Sequence, residues 1–203
     1  MADGNDRWMY CWTLENVTVQ HVGGFGLDVQ GSVFEGIVSN SWMIGNAEGG
    51  RTAGVFQLGS ASADSVIGST AGDVLQGAGG ADTLTGGAGA DRFVYKAADS
   101  IAAAPDTITD FQHGIDQIDL GGVAGLGAAD GTVQFQGQLA GTGDLTLNPH
   151  NVALLETGGN TLVLGNTSDV AELVKATDTD AADVKIVLLG TSLGLTGSDF
   201  DLF

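Results

Sequence analysis

The chain has 203 residues, 34 of them glycine, and a formal net charge of −19 from 25 acidic and only 6 basic side chains. So few cations cannot neutralise a row of phosphates, which excludes a nucleic-acid interface and makes an anionic membrane a poor partner. The single cysteine, Cys11, rules out an internal disulfide, and no apolar run reaches the roughly 18 residues of a membrane span. In chain order, the opening MADGNDRWMYCW lacks a basic start followed by an apolar core, so it does not read as a secretory signal peptide.

Residues 13–50 alternate apolar and polar positions in short runs, and strands are expected at 17–19, 27–29, 34–38 and 41–44. Asn16 and Asn40 sit 24 residues apart, each just ahead of an expected strand. That spacing suits one rung of a right-handed parallel β-helix with asparagines stacked at its turns. The stretch resembles the final rungs of polysaccharide-active β-helices such as alginate epimerases and lyases. The resemblance implies the tail of a longer enzyme, or an open end that meets another surface, because two rungs cannot stand alone. His21 and Asp28 could form an acid–base pair here, but a lone pair at this spacing reads as structural. The D-P-H-E motif of the epimerases is missing, and no catalytic residue is assigned.

From Gly59 the chain reads in nines: GSASADSVI, GSTAGDVLQ, GAGGADTLT and GGAGADRFV. Position one is always Gly (Gly59, Gly68, Gly77, Gly86), position six always Asp (Asp64, Asp73, Asp82, Asp91), and position eight always apolar (Val66, Leu75, Leu84, Phe93). Each position has its own physical reason. Small residues at positions one to five allow a turn with left-handed angles whose carbonyls point at one spot. Aspartate adds a hard anionic oxygen. The apolar residue lies on a short strand and points inward, flanked by outward-facing neighbours. One repeat cannot bury its own apolar side chain, so the repeats must stack.

This pattern resembles the RTX (repeats-in-toxin) family, with consensus G-G-x-G-x-D-x-U-x, and GGAGADRFV is its best copy. The resemblance implies a parallel β-roll in which two repeats make one turn, so that each calcium ion is held between repeats 18 residues apart. It pairs Asp64 with Asp82 and Asp73 with Asp91 on opposite edges, with carbonyls of Gly59, Gly68, Gly77, Gly79, Gly86 and Gly89 completing the shells. The alternative, a Gly/Asp turn array that holds no metal, must stack four carboxylates that repel one another.

Residues 93–122 resemble the C-terminal domain of serralysin-type secreted metalloproteases, through the phenylalanine-ended last repeat, the D-S pair, D-T-I-T-D-F and G-I-D-Q-I-D-L. By that resemblance Asp99 and Asp106 bind a further calcium. Read without it, both are turn-capping aspartates, and Ile108 lies on an edge strand. Strands are expected at 132–135, 145–147, 152–156, 161–165 and 184–190, with a short helix over 168–176. An antiparallel cap packed on the roll is the simplest architecture for them. The closing GSDFDLF resembles the uncleaved C-terminal signal of type I secretion substrates. GTSLG at 190–194 fits G-x-S-x-G, but no histidine follows His150, and no H-E-x-x-H is present.

The expected fold is all-β: parallel β-helix rungs (1–50) continuing into a calcium-binding parallel β-roll (51–96), capped by a C-terminal β-rich domain (97–203). The expected function is a calcium-binding module that drives extracellular folding and type I secretion, with calcium and the secretion apparatus as partners and polysaccharide reached only through a parent enzyme. An active enzyme fragment and a surface adhesin module are the alternatives.

Overall fold

The computed structural model is described over residues 13–15, 37–39, 56–126, 134–139, 144–175 and 179–201. Among these, every regular element but a single 3₁₀ turn is a strand. Among the described residues no helix is long and apolar enough to cross a membrane.

Strands β1 (Thr13–Glu15) and β2 (Ile37–Ser39) pair in parallel with Thr13 opposite Ile37. The offset equals the Asn16-to-Asn40 spacing and is that of one β-helix rung. The described strands lie just before the two asparagines. The strands expected at 17–19, 27–29 and 41–44, with His21 and Asp28, lie outside the described residues.

The repeats then wind a roll of two facing parallel sheets. Strands β3 (Phe56–Leu58), β5 (Val74–Gln76), β7 (Arg92–Lys96) and β9 (Gln117–Gly122) lie in one sheet, and β4 (Ser65–Ile67), β6 (Thr83–Thr85) and β8 (Asp106–Ile108) in the other. Phe56 stands opposite Val74, Ser65 opposite Thr83 and Val74 opposite Arg92, so each turn takes two nonapeptides. Past Phe93 the turns lengthen, with Thr83 opposite Thr107 and Arg92 opposite Gln117. Val66, Leu75, Leu84 and Phe93 all point between the sheets and are buried, joined by Ile108 and Ile118. This is the inward role expected of position eight.

Beyond β9 the chain leaves the roll and returns to it. Strands β10 (Gln134–Gln138), β12 (Asn151–Thr157), β13 (Asn160–Gly165) and β15 (Val184–Leu189) extend the second sheet, in the order β10-β12-β13-β15-β8-β6-β4. β15 runs parallel to β8, with Ile186 opposite Asp106, and β16 (Phe200–Asp201) runs parallel to β9, with Phe200 opposite Ile118. The expected cap is therefore continuous with the roll's own sheet rather than a layer laid over it. For the same reason Ile108 is interior, fully buried between β6 and β15, and not on an edge.

The contiguous apolar runs of β12 and β13 reflect burial on both faces. Val152, Leu154 and Val163 face the roll core, while Ala153, Leu155, Leu162 and Leu164 face a second cluster with Leu145, Leu147 and Val174. That second cluster is covered by β11 (Asp144–Leu147) paired antiparallel with β14 (Glu172–Lys175). Over its described part, 168–175, the helix expected at 168–176 is thus a turn and a strand. Asn166 Oδ1 accepts the Ser168 N–H at 2.8 Å and starts a turn instead of a helix. Leu173 is then exposed and Val174 buried, which is strand alternation.

Candidate metal centre

The aspartates at position six form two ladders along the edges of the roll, where each strand begins. On one edge Asp82 Oδ1 accepts the Asp64 N–H at 2.7 Å, and Asp106 Oδ1 accepts the Asp82 N–H at 2.9 Å. On the other edge Asp91 Oδ1 accepts the Asp73 N–H at 2.8 Å, and Asp116 Oδ1 accepts the Asp91 N–H at 3.0 Å. Each carboxylate thus clips its own turn to the one before it and spends one oxygen doing so.

The second oxygens divide into two groups. Asp64 Oδ2 accepts from the N–H and hydroxyl of Ser60, Asp73 Oδ2 from the N–H of Ser69, and Asp116 Oδ2 from the N–H of Gln112. Asp82 Oδ2, Asp91 Oδ2 and Asp106 Oδ2 are buried without a hydrogen-bond partner. Part of the difference is in the sequence: position two is serine in the first two copies and alanine or glycine in the next two. An unpaired buried polar group costs about 1–3 kcal/mol, and more for a charge, so three in one small roll require an explanation.

Electrostatics points the same way. Burial, and then the nearby charges of Asp64 and Asp99, push the Asp82 carboxyl up to about 6. Burial with Asp116, Asp73 and Asp110 pushes Asp91 up to about 6, and burial with Asp82 and Asp99 pushes Asp106 up to about 8. Asp116 is raised too, by burial first.

Glycine at position one makes room for these oxygens. A Cβ on Gly77 would strike Asp82 Oδ2, and one on Gly86 would strike Asp91 Oδ2. A Cβ on Gly59 would meet the Gly77 carbonyl oxygen, and one on Gly68 the Gly86 carbonyl oxygen. Carboxylate and carbonyl oxygens of successive turns therefore crowd the same edges. An all-oxygen donor set of this kind suits a hard divalent cation such as calcium. Among the described residues no three Asp, Glu, His or Cys side chains gather about one point, so a cation here would draw on two carboxylates and on backbone carbonyls.

The twelve residues singled out from sequence fall as follows. Asp64 and Asp82 share one edge, Asp73 and Asp91 the other. Asp106 joins the first ladder beside Asp82. Asp99 Oδ2 caps its own turn, accepting from the Lys96 N–H and from Gln76 Nε2, both at 2.9 Å. Gly59, Gly68, Gly77 and Gly86 line the edges. Gly89 has φ +116° against the turn at Ala71, and a Cβ on Gly79 would make only ordinary contact with Ala61. Two acidic residues escaped the sequence reading: Asp116, and Asp110, whose carboxylate accepts the N–H groups of Gly86 and Gly87 at 2.9 and 2.8 Å. A frame of nine cannot find them, because Asp116 follows Asp91 by 25 residues and Asp110 follows Gly86 by 24.

The model of the family described as Peptidase M10 serralysin C terminal matches residues 3–188. The chain belongs to the serralysin C-terminal family. It is also similar to two solution structures from the Azotobacter vinelandii mannuronan C5-epimerase, the AlgE6R3 and AlgE6R2 subunits, each at 21% identity. The first covers 78% of this chain and 83% of its own, with a TM-score of 0.43; the second covers 73% and 86%, with a TM-score of 0.45. No curated protein matches.

In this serralysin C-terminal domain the turns of the third and fourth repeats use left-handed angles at positions two and four: Ala78 and Gly80, then Gly87 and Gly89. Ala78, at φ +66°, is the non-glycine among them. Replacing it by glycine restores the family consensus and relieves a strain of about 1–2 kcal/mol, less the entropy glycine loses on folding. Ala78→Gly is expected to gain about 0.5–1 kcal/mol, read from the urea midpoint in calcium; a lower midpoint would speak against strain at this turn.

The last rung is pinned by polar contacts. Arg92 Nη2 reaches Asp119 at 2.8 Å and Asp201 at 2.7 Å. Asp199 is buried and accepts from the N–H groups of Thr196 and Gly114 and from His113 Nδ1. Burial alone would raise its carboxyl, but these hydrogen bonds hold it below its ordinary value. GTSLG forms a loop at 190–194 that leads only into the 3₁₀ turn at Gly197–Asp199, and so lacks the strand–turn–α-helix elbow that the motif needs.

Proposed function

We propose that this chain is a calcium-responsive folding and export module, forming the C-terminal part of a secreted polysaccharide-modifying enzyme. The observation that carries the reading is the set of three buried carboxylate oxygens, on Asp82, Asp91 and Asp106, left without donors at glycine-lined edges. Calcium supplies positive charge at those edges. Asp64 with Asp82 and Asp73 with Asp91 hold it between turns, with glycine carbonyls from Gly59, Gly68, Gly77, Gly79, Gly86 and Gly89, and Asp99 and Asp106 serve the last turn of the same edge.

The energetics follow from compartment chemistry. Extracellular modules bind calcium with dissociation constants of about 10⁻⁴–10⁻³ M. At cytosolic calcium such sites stay empty, and a net charge of −19 opposes compaction. Outside the cell, metal binding and folding become one equilibrium. The segment resembling a secretion signal fits this cycle. Phe200 is buried and stacks on Phe135 at 5.4 Å, and Asp201 bonds Arg92, so a type I apparatus would read that segment only while the chain is unfolded. The division is 1–50 for the rungs that join the parent enzyme, 51–96 for the calcium roll and 97–203 for the secretion-competent cap. An epimerase or lyase as parent is favoured by the β-helix offset of β1 and β2.

Far-ultraviolet circular dichroism and calorimetric titration test the proposal together. EDTA is expected to remove most of the β-sheet signal, millimolar calcium to restore it, and Asp73→Asn to weaken uptake. A spectrum indifferent to EDTA, with no heat of calcium binding, would overturn it.

A further inference from the structure

We infer that the Tyr95 hydroxyl is the neutral oxygen of a third cation site, shared with Asp82 and Asp106, where the nonapeptides give way to longer turns. The inference rests on the calcium reading above and adds to it a residue that the repeat pattern does not contain.

The repeat frame itself marks Tyr95. Position one recurs at 59, 68, 77 and 86, always glycine, and the next register falls on 95. At the glycines no side chain fits, because a Cβ would strike either the carboxylate of the same repeat or a carbonyl of the next turn. A fifth copy would carry its aspartate at 100, but that residue is Ser100. Its hydroxyl is committed elsewhere: it donates to the Lys185 carbonyl at 2.6 Å and accepts the Asp106 N–H at 2.8 Å. The carboxylate missing from this register leaves space, and a phenol stands where glycine and aspartate would have met.

The phenol is also anomalous by itself. Tyr95 is 1% exposed, and its hydroxyl has no hydrogen-bond partner. A buried tyrosine ordinarily finds one, and exceptions in a folded protein signal a missing water or ion. Two further groups nearby share the anomaly, the unpartnered Oδ2 atoms of Asp82 and Asp106. The register brings them together: Leu75 stands opposite Phe93, so Tyr95 continues alongside Gly77, whose Cβ would strike Asp82 Oδ2, and Asp106 Oδ1 accepts the Asp82 N–H. Asp99 Oδ2 is held by the Lys96 N–H and by Gln76 Nε2. One neutral and two anionic oxygens are left over together, and a hard cation accepts both kinds.

Tyr95→Phe deletes only the oxygen, and the two possible situations give opposite signs. With a cation on the hydroxyl, Tyr95→Phe in the full chain weakens one class of calcium site roughly tenfold, about the worth of one such contact. It also lowers the thermal midpoint in calcium and abolishes the calcium-induced near-ultraviolet tyrosine difference spectrum. Adding Asp106→Asn weakens that same class of site further and leaves the others unchanged, whereas adding Asp73→Asn weakens a second class on the other edge. If instead the hydroxyl has no such partner, Tyr95→Phe removes an unsatisfied buried group, the midpoint rises or stays, and calcium affinity is unchanged; that result overturns this inference alone. Failure of the unaltered chain to take up calcium overturns both this inference and the reading it rests on.

Discussion

Gly87→Ala is expected to cost about 3 kcal/mol of folding stability, the largest loss from any single added methyl group in the roll. Gly87 has φ +97°, and a Cβ there would run into the Ser69 carbonyl oxygen of the adjacent turn. Neither partner can step aside cheaply. Ser69 O already accepts the Ala88 N–H at 3.1 Å, and the Gly87 N–H is held by Asp110. Left-handed strain contributes about 1–2 kcal/mol and overpacking about 1–3 kcal/mol. The control is Gly158→Ala in the β12–β13 turn, where φ is +60° and a Cβ would meet nothing within 4 Å; only strain of about 1 kcal/mol applies. Urea unfolding of both variants in calcium decides the matter. Equal losses would mean that turn stacking contributes nothing at Gly87.

Acidification is expected to move stability in opposite directions with and without calcium. In the metal-free roll Asp82 and Asp91 are held at about 6 and Asp106 at about 8, above the ordinary 3.8 of the unfolded chain. The folded state then binds more protons than the unfolded one. Stability from these groups is fully present below the unfolded value and is lost as pH rises through 6 to 8. Each pKa unit corresponds to about 1.4 kcal/mol, so three such carboxyls oppose the ionised roll by several kcal/mol, a large share of the roughly 5–15 kcal/mol that holds a domain together. Asp199, held low by its donors, contributes with the opposite sign but alone. Calcium requires the deprotonated carboxylates, so the loaded protein gains stability over the same interval. Thermal midpoints at pH 5 and pH 8, in EDTA and in calcium, are expected to cross. Parallel slopes would mean that the buried carboxylates are not where the metal acts.

The parts of this molecule that were legible in the sequence are those governed by a short local period. Val66, Leu75, Leu84 and Phe93 recur every nine residues, and their burial and pairing follow from that recurrence. The 24-residue offset of the first two strands was legible for the same reason. Asp110 and Asp116 were not, because loops at 97–105 and 109–115 stretch the period without changing the ladder it builds. Tyr95 stayed hidden since its meaning lies in what it replaces. The 168–176 segment misled because its local composition allows a helix, while the pairing of β14 with β11, with Glu172 opposite Leu147 and Lys175 opposite Asp144, decides otherwise.

The return of the chain to the roll at β15 and β16 has a kinetic meaning. A solenoid of like repeats can propagate from any turn, but here β8 and β9 wait for partners that arrive only after a detour through residues 123–183. Closing so long a loop costs little more free energy than closing a short one, since the penalty grows only logarithmically. Its burden falls on folding speed, which declines as contacts grow distant in sequence. A chain cut short before Phe200 leaves β9 without the partner that β16 supplies, and that longer edge is then available to proteases and to other unfinished copies. The topology thus makes the last turns of the roll depend on residues 184–201, far along the chain from the repeats they cover.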